Sequence, residues 1–359
     1  MLRSSSVCLS INMDKNRIIW VDYSKAILIV LVVFAHCPFV HPLFDVLICG
    51  FHMPAFFIIS GYLHKYPGTI VGGIKKNIRR LLFPALLFSA LCYVYWLLRY
   101  LLHEPFSFYE CITKPLLGLF FYDTAVATPV CGVIWFLVAL FLCFLLLDCA
   151  MRFMKRRGVI VLSLIFMVVT IWFAASGYKD FQYGYYLQRT VISFPFVAFG
   201  FLCREYKLLK MGILHTRSIM HILAIACGLV LIYVFLILYN GRVGIHSCTF
   251  GKSALLYYAA SIIGSLALFH WVSLLKNIPQ FVANISSNTI VILCLHQVII
   301  QVFAHIWANP YFITVMAIVL CYLTIPLFNK YFPCFLGKSY HKKQRLTYFV
   351  INENRDNNP

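Results

Sequence analysis

The chain has 359 residues, of which 62% are hydrophobic and only 11% are charged. A soluble domain carries about 25% charged residues, and a mean hydropathy of +0.86 leaves too little polar surface to cover a soluble protein of this length. The net charge of +19 does not indicate a nucleic-acid partner. The basic residues lie between apolar runs, which is typical of a membrane surface.

Ten apolar segments follow one another along the chain, and each approaches the roughly 20 residues that a helix needs to cross the hydrocarbon core. They lie at residues 24–42, 45–64, 81–102, 131–150, 158–175, 188–203, 217–239, 253–275, 286–305 and 311–329. Residues 103–130 are mixed in character and are predicted to form a long loop with an interfacial helix. The sequence therefore predicts an all-α integral membrane protein with about ten transmembrane helices. Residues 24–330 form its membrane domain, and residues 1–23 and 331–359 are tails.

The distribution of Lys and Arg predicts the orientation of these helices. Of the 30 basic residues, 24 fall in alternate connections that begin with the N-terminal segment, and 6 fall in the remaining connections. Cytoplasmic connections carry the excess of Lys and Arg in membrane proteins. We therefore expect both termini in the cytoplasm and a multi-pass protein of the inner (plasma) membrane.

Fourteen cysteines are scattered through the chain, and none forms a C-x-x-C pair. Most of them lie inside apolar segments, where a cysteine behaves as a small hydrophobic residue. No zinc-ligand spacing is present either. The sequence thus predicts no metal site.

The first apolar segment carries three ionisable residues, Asp22, Lys25 and His36. Lys25 and His36 are eleven residues apart, which is close to three helical turns, so both point the same way at a separation of roughly 16 Å. Asp22 shares that face with Lys25 at a spacing of three residues. Ionisable groups in a membrane are costly and are usually functional. The alternative is structural: Lys25 extends to the headgroups, and His36 is hydrogen-bonded within the helix bundle.

Two further groups of residues surround the second and third segments. His52 and Pro54 begin the second segment, close to the end of the first one, and a proline is well tolerated at a helix start. A basic run that includes Lys76, Arg79 and Arg80 precedes the third segment. This run could serve topology alone, or it could bind phosphates, for which Arg and Lys are the natural donors.

The first segment, Asp22-x-x-Lys25 followed by ten residues and His36, resembles the first-helix signature of the acyltransferase-3 family of membrane O-acyltransferases. Four more segments are similar to motifs of that family, and they are Phe51-His52-Met53-Pro54 with Ser60-Gly61-Tyr62, the basic run with Leu81-Leu82-Phe83-Pro84, Trp135-Phe136-Leu137 and Leu295-His296-Gln297. Two departures stand out. Lys25 replaces the more common Arg, and Lys76-x-x-Arg79 replaces R-x-x-R, with Arg80 adjacent.

The resemblance implies transfer of an acyl group, usually acetyl, from cytoplasmic acyl-CoA to a hydroxyl of a cell-surface glycan or its lipid-linked precursor. Besides membrane lipid, these are the expected partners, and no permanently bound cofactor is implied. His36 would act as general base or orient the acceptor, since an imidazole titrates near operating pH. Lys25 would position the donor or stabilise the oxyanion, with Asp22 orienting it. The other assigned residues are Lys76, Arg79 and Arg80 for the CoA phosphates, and His52 and His296 on the acceptor side.

A secondary transporter or lipid-linked glycan flippase is the alternative function. Such proteins also cross the membrane many times and carry ionisable groups near its midplane. In this chain only Asp22, Asp45 and Asp148 lie in or beside apolar segments, all near segment ends. The two halves of the chain also show no internal repeat, which favours acyl transfer over transport.

Overall fold

The computed structural model describes residues 17–121, 130–177, 184–208 and 219–338. Most of both predicted tails, and parts of three predicted connections, lie outside these residues. The helices are α1 (Ile19–Ala35), α2 (Pro42–Cys49), α3 (His52–Leu63), α4 (Ile70–Asn77), α5 (Phe83–Leu101), α6 (Lys114–Phe120), α7 (Ile134–Ser176), α8 (Tyr185–Glu205), α9 (Ile219–Asn240), α10 (Ala254–Ser273), α11 (Gln280–Ser287), α12 (Thr289–Ala304) and α13 (Pro310–Tyr331). One turn of π-helix, Ile78–Leu82, joins α4 to α5, and another, Tyr109–Thr113, precedes α6.

The chain is an all-α, multi-pass membrane protein. Within the described residues, seven helical segments are long and apolar enough to cross a membrane, and the bent pair α11 and α12 could form an eighth. Two features explain why this number is smaller than the ten apolar segments of the sequence. Helix α1 has only 17 residues, and the 43 residues of α7 contain a non-helical break at Lys155.

Two predicted segments have different boundaries in the structure. The first helix ends at Ala35, and His36 is its C-terminal cap. The predicted segment 24–42 placed His36 inside the helix, whereas in the structure His36 lies directly after its last residue with an exposed side chain. The second segment is divided into α2 and α3. Pro54 lies in the first turn of α3, where its missing N–H costs no hydrogen bond.

Helices α3 and α8 approach each other closely because each contributes a glycine. A Cβ atom added to Gly61 would overlap with the carbonyl of Val197, and one added to Gly200 would overlap with the carbonyl of Ile58. Small residues allow helix backbones in a membrane to pack at this distance. Helix α8 in turn packs along α7, so α3, α7 and α8 form one side of the bundle.

A buried hydrogen bond between His64 and Asp148 joins α3 to α7 at the far end of α3. His64, the residue that caps α3, places its Nε2 atom 2.7 Å from Oδ1 of Asp148. The imidazole also stacks on Phe144, with ring centroids 4.4 Å apart. Both side chains are almost fully buried, so the pair fixes the position of α3 against α7.

Helices α11 and α12 form a broken segment. Their axes differ by 82° across a break at Asn288. Helix α1 packs against α11, α12 and α13, so it lies against both sides of the break. After α13, a turn of 3₁₀-helix at Pro333–Leu336 packs against α5 and α13.

A small β-hairpin follows α9, and the sequence did not predict it. Its strands are β1 (Val243–Gly244) and β2 (Thr249–Phe250), which pair antiparallel. Asn240, at the end of α9, donates from its side-chain amide to the carbonyl of Phe250 at 2.9 Å and fixes the hairpin to the helix. Residues 103–130 contain a short helix, α6.

Candidate active site

A cavity of about 360 Å³ lies where α1 ends. His36 and His52 line it together with Trp135, Gln297 and residues of the β-hairpin. We call this space the histidine cavity. Two of its residues, Trp135 and Gln297, belong to the two short motifs that were matched in the fourth and ninth apolar segments.

Three histidines at this end of the protein share one hydrogen-bonding arrangement. The Nδ1 atoms of His36, His52 and His296 lie 2.8, 2.7 and 3.0 Å from the backbone carbonyls four residues earlier. A carbonyl can only accept, so each Nδ1 carries the proton. The Nε2 atom of each neutral ring then keeps its lone pair. Each histidine is therefore held in the tautomer that a general base needs.

His296 lies directly behind His36. Their rings meet edge to face with centroids 5.0 Å apart. His296 is fully buried, and its Nε2 atom has no hydrogen-bond partner within the part of the chain that the structure describes. His52 lies close enough to His36 for their charges to interact. The structure thus brings together the three histidines that the sequence analysis assigned to acid–base chemistry and the acceptor side.

The β-hairpin closes one side of the histidine cavity. Arg242 at its base pairs with Asp45 of α2, at 2.7 Å between Nε and Oδ2. Arg189 of α8 is only 2% exposed, and it donates from Nε and Nη2 to the carbonyl of His246 at 3.1 and 2.6 Å. Two charged side chains therefore anchor the hairpin over the cavity.

Lys25 and Asp22 lie at the other end of α1, against the end of α11. Lys25 donates from Nζ to the carbonyl of Ser286. Asp22 accepts from the hydroxyl of Ser286 at 2.5 Å and from Nε of Arg17 at 3.0 Å. The structure thus links Asp22, the residue expected to orient Lys25, to that lysine through Ser286.

The break between α11 and α12 explains these bonds. A helix C-terminus leaves its last carbonyls without intrahelical partners and carries a partial negative charge. Lys25 and Arg17 supply donors to that end, and Arg17 also donates to the carbonyl of Ala283 at 3.0 Å. No sequence motif indicated Arg17 or Ser286. Only a prediction of the break at Asn288 could have indicated them.

The predicted phosphate-binding residues Lys76, Arg79 and Arg80 are all exposed. Arg79 and Arg80 lie in the π-helical turn at Ile78–Leu82. Such turns inside helices are frequent at functional sites. Arg80 is close enough to Lys25 for their charges to interact. We call Arg17, Lys25, Arg79 and Arg80 the basic mouth.

A chain of polar side chains leads from the basic mouth region to the end of the described structure. Lys338 donates from Nζ to Oδ1 of Asn329 at 2.6 Å, and Asn329 donates from Nδ2 to Oδ1 of Asn288 at 2.9 Å. Burial lowers the pKa of Lys338. The sequence analysis placed Lys338 in a tail and did not connect it to the site.

Both ends of α1 contact the same broken segment. Lys25 contacts α11 through Ser286, and His36 contacts α12 through His296. The two residues therefore face the same way, as their spacing of eleven residues predicts. In the residues that the structure describes, no group of three or more His, Cys, Asp or Glu side chains could hold a metal ion.

The structure is that of a polytopic helical membrane protein with tautomer-fixed histidines at one end of α1 and the basic mouth at the other. The family model of the acyltransferase-3 family, described as an acyltransferase domain, matches residues 18–333. The chain belongs to this family and is an acyltransferase. No curated protein and no solved structure matches the chain.

Proposed function

We propose that the protein transfers an acyl group, usually acetyl, from cytoplasmic acyl-CoA to a hydroxyl of a cell-surface glycan or its lipid-linked precursor. The observation that supports this best is the arrangement along α1. One end carries a histidine whose Nε2 atom is held ready to accept a proton, and the other end carries cations that can bind an anionic donor. His36 and Lys25 both face the α11–α12 segment, along which the donor would extend.

The chemistry assigns His36 as the general base. Its Nε2 accepts the proton of the acceptor hydroxyl while that oxygen attacks the thioester carbonyl. The C–S bond then breaks, the new C–O ester bond remains on the sugar, and the proton returns to the departing CoA sulfur. His52 and His296 line and support the acceptor side of this step.

Lys25 has a different role from His36 because the two are roughly 16 Å apart along the helix. A lysine at that distance cannot reach the same carbonyl as His36. We therefore assign Lys25 to the polar part of the donor rather than to the oxyanion. Lys76, Arg79 and Arg80 would bind the CoA phosphates, and Asp22 would hold the local structure through Ser286.

In the proposed topology the protein crosses the inner (plasma) membrane ten times. Both termini lie in the cytoplasm. The spans are α1, α2 with α3, α4 with α5, the two parts of α7 on either side of Lys155, α8, α9, α10, α11 with α12, and α13. This arrangement places the basic mouth at the cytoplasmic side and the histidine cavity toward the outer side. The donor must then extend from the cytoplasmic side into the membrane to meet the acceptor.

The carboxylates argue against the transporter alternative. Proton-coupled transporters commonly use free carboxylates near the midplane. Here Asp22 is engaged by Arg17 and Ser286, Asp45 by Arg242, and Asp148 by His64. All three are committed to structural pairs.

The test is chemical analysis of surface glycans from wild-type cells and from cells that lack the gene. We expect ester-linked acyl groups that are present in the wild type, absent in the deletion, and restored by the intact gene. Identical ester content in both strains would contradict acyl transfer to a surface glycan. A deletion that lowers the amount of glycan at the surface, with unchanged ester content per sugar, would indicate a flippase instead.

A further inference from the structure

A second cavity of about 380 Å³ adjoins the histidine cavity. It lies between the C-terminal half of α5 and helix α12. The side chains that define its character are Trp96, Arg99, Tyr100, Glu104, Gln297 and Gln301. We call this space the aromatic cavity.

The two cavities meet at Gln297, which lines both. The backbone N–H of Gly132 donates to Oε1 of Gln297 at 3.1 Å. This bond fixes which end of the amide is the acceptor, so the NH₂ group of Gln297 can donate to a ligand. His296, the preceding residue on α12, contacts His36. A molecule in the aromatic cavity would therefore lie next to the proposed base.

The aromatic side chains of α5 form a stacked row. The rings of Trp96 and Tyr100 lie 5.3 Å apart at an angle of 25°, and those of Tyr93 and Trp96 lie 6.1 Å apart at the same angle. Trp96 and Tyr100 are both partly exposed. The face of an aromatic ring is electron-rich, and it attracts the polarised C–H groups on the flat face of a pyranose ring.

Polar groups surround this row. Arg99, Glu104 and Gln301 are exposed around the aromatic cavity and together supply donors and acceptors. A pyranose needs this combination, because its hydroxyls project from the rim while its C–H groups cover the faces. Orientation by a few polar groups on a largely apolar surface is typical of ligand sites.

A lipid chain would fit a different part of α5. The groove between α5 and α6 has a volume of about 400 Å³ and is lined mainly by apolar residues, including Leu86, Ala90 and Leu116. A hydrocarbon chain would gain nothing from the charged and amide groups of the aromatic cavity and would leave them without water. The polar lining therefore favours a sugar.

We propose that the aromatic cavity is an acceptor subsite that binds one pyranose ring of the glycan, beside the sugar that receives the acyl group. This inference rests on the proposed acyl transfer to a glycan. The sugar ring packs against the part of the aromatic row that lines the cavity, formed by Trp96 and Tyr100, and Gln297 holds the glycan at the junction with the histidine cavity. The subsite thus determines which glycans can present a hydroxyl to His36.

Sugar binding can be tested apart from catalysis in purified protein reconstituted into lipid nanodiscs. Saturation-transfer NMR would measure binding of methyl glucopyranoside, galactopyranoside, mannopyranoside and N-acetylglucosaminide. We expect binding of at least one of them to the wild type. Trp96→Ala should weaken it about tenfold, the effect of losing roughly 1.4 kcal/mol, and Trp96→Phe should restore part of it. Trp172→Ala is the matched control, because Trp172 is 58% exposed on α7 and lines none of the cavities described here.

Two results would overturn the inference. One is that none of the four methyl glycosides binds the wild-type protein, and the other is that Trp96→Ala binds them as tightly as the wild type. Catalysis gives a separate readout, because Trp96→Ala should raise the KM for glycan, whereas the control Trp172→Ala should leave that KM unchanged. If a glycoside binds through Trp96 but the wild type transfers no acyl group to any glycan, the proposed function fails while the sugar site stands.

Discussion

The imidazole of His36 meets that of His296 edge to face, with ring centroids 5.0 Å apart. The two residues are 260 positions apart in the sequence, and each ring donates its Nδ1 proton to its own helix. The two imidazoles therefore lie in the same part of the protein, although no local sequence pattern connects the two residues. This contact places the proposed base at the junction of the histidine cavity and α12.

The first prediction concerns His36 as the base. His36→Ala should lower glycan acylation by about 10²-fold or more, the range expected for loss of a general base. His36→Gln keeps a hydrogen-bonding side chain but cannot accept the proton, so it should be nearly as inactive. Both variants should insert into the membrane and bind acyl-CoA. His270→Ala is the matched control, since His270 makes the same bond to the carbonyl of Leu266 on α10.

Membrane abundance, acyl-CoA binding and ester transfer should be measured together for these variants. A purely structural histidine would give the opposite pattern. The glutamine variant would keep much of its activity, and the alanine variant would lose abundance. A well-folded His36→Gln protein with a near-normal transfer rate would end the catalytic assignment.

The second prediction concerns His52 on the acceptor side. His52→Ala should lower turnover while the affinity for acyl-CoA stays nearly unchanged, because His52 lines the histidine cavity and the donor cations lie at the other end of α1. Steady-state kinetics with varied donor and varied acceptor would separate the two effects. Loss of donor binding with normal acceptor affinity would place His52 on the wrong side of the reaction.

The third prediction concerns the donor phosphates. Changing Arg79 and Arg80 together to Ala should raise the KM for acyl-CoA several-fold, because each Arg lost removes a charge-assisted bond to phosphate. Changing Arg152 and Arg157 together to Ala is the matched control. It removes two exposed basic residues from a segment that we also place in the cytoplasm. Equal donor KM values in the two double variants, at equal protein levels, would remove the phosphate-binding role.

The fourth prediction concerns topology. Reporter fusions after Lys155 and after Lys338 should both report the cytoplasm, and a fusion at Thr128 should report the outer side. The break in α7 at Lys155 makes the first fusion decisive. If α7 crossed the membrane only once, Lys155 would lie within the span and the two ends of α7 would face different compartments. A cytoplasmic signal at Thr128 would contradict the ten-span arrangement.

The fifth prediction concerns the buried pair of His64 and Asp148. Asp148→Leu should lower the free energy of unfolding by on the order of 3 kcal/mol, because it leaves a buried imidazole without its partner. The double variant His64→Leu with Asp148→Leu should recover part of this loss, since an apolar pair leaves no polar group unsatisfied. Unfolding of the purified proteins in mixed detergent would measure both. A double variant less stable than Asp148→Leu alone would show that packing, rather than pairing, controls this site.

The apolar segments and the family motifs were sufficient to predict the class of fold and the main histidines. An all-α membrane protein follows from hydropathy because each span must satisfy its own backbone. The expectation that His36 and His52 lie near each other followed from the short connection between the first two segments. The match at His296 came from a short motif alone, and the structure places that residue against His36.

Helix breaks and the residues that depend on them could not be predicted from the sequence. Residues 284–289 are mainly polar, but nothing in this run indicates that Arg17, which lies more than 260 residues earlier, stabilises the break at Asn288. The β-hairpin is a different case. Gly241 and Gly251 flank it and both adopt positive φ angles, and glycine is the usual turn signal, so this element was detectable in principle.

The broken segment has a consequence for how the protein is made. A chain is synthesised from its N-terminus, and helices are delivered to the membrane in that order. The carbonyls of Ala283 and Ser286 at the end of α11 find their donors on residues just before and within α1, the first segment to be inserted. Lys25 and Arg17 must therefore remain without these partners until nearly the whole polypeptide has been inserted. Assembly of the basic mouth is accordingly a late event in biogenesis, and a truncated chain that ends before α11 would lack it.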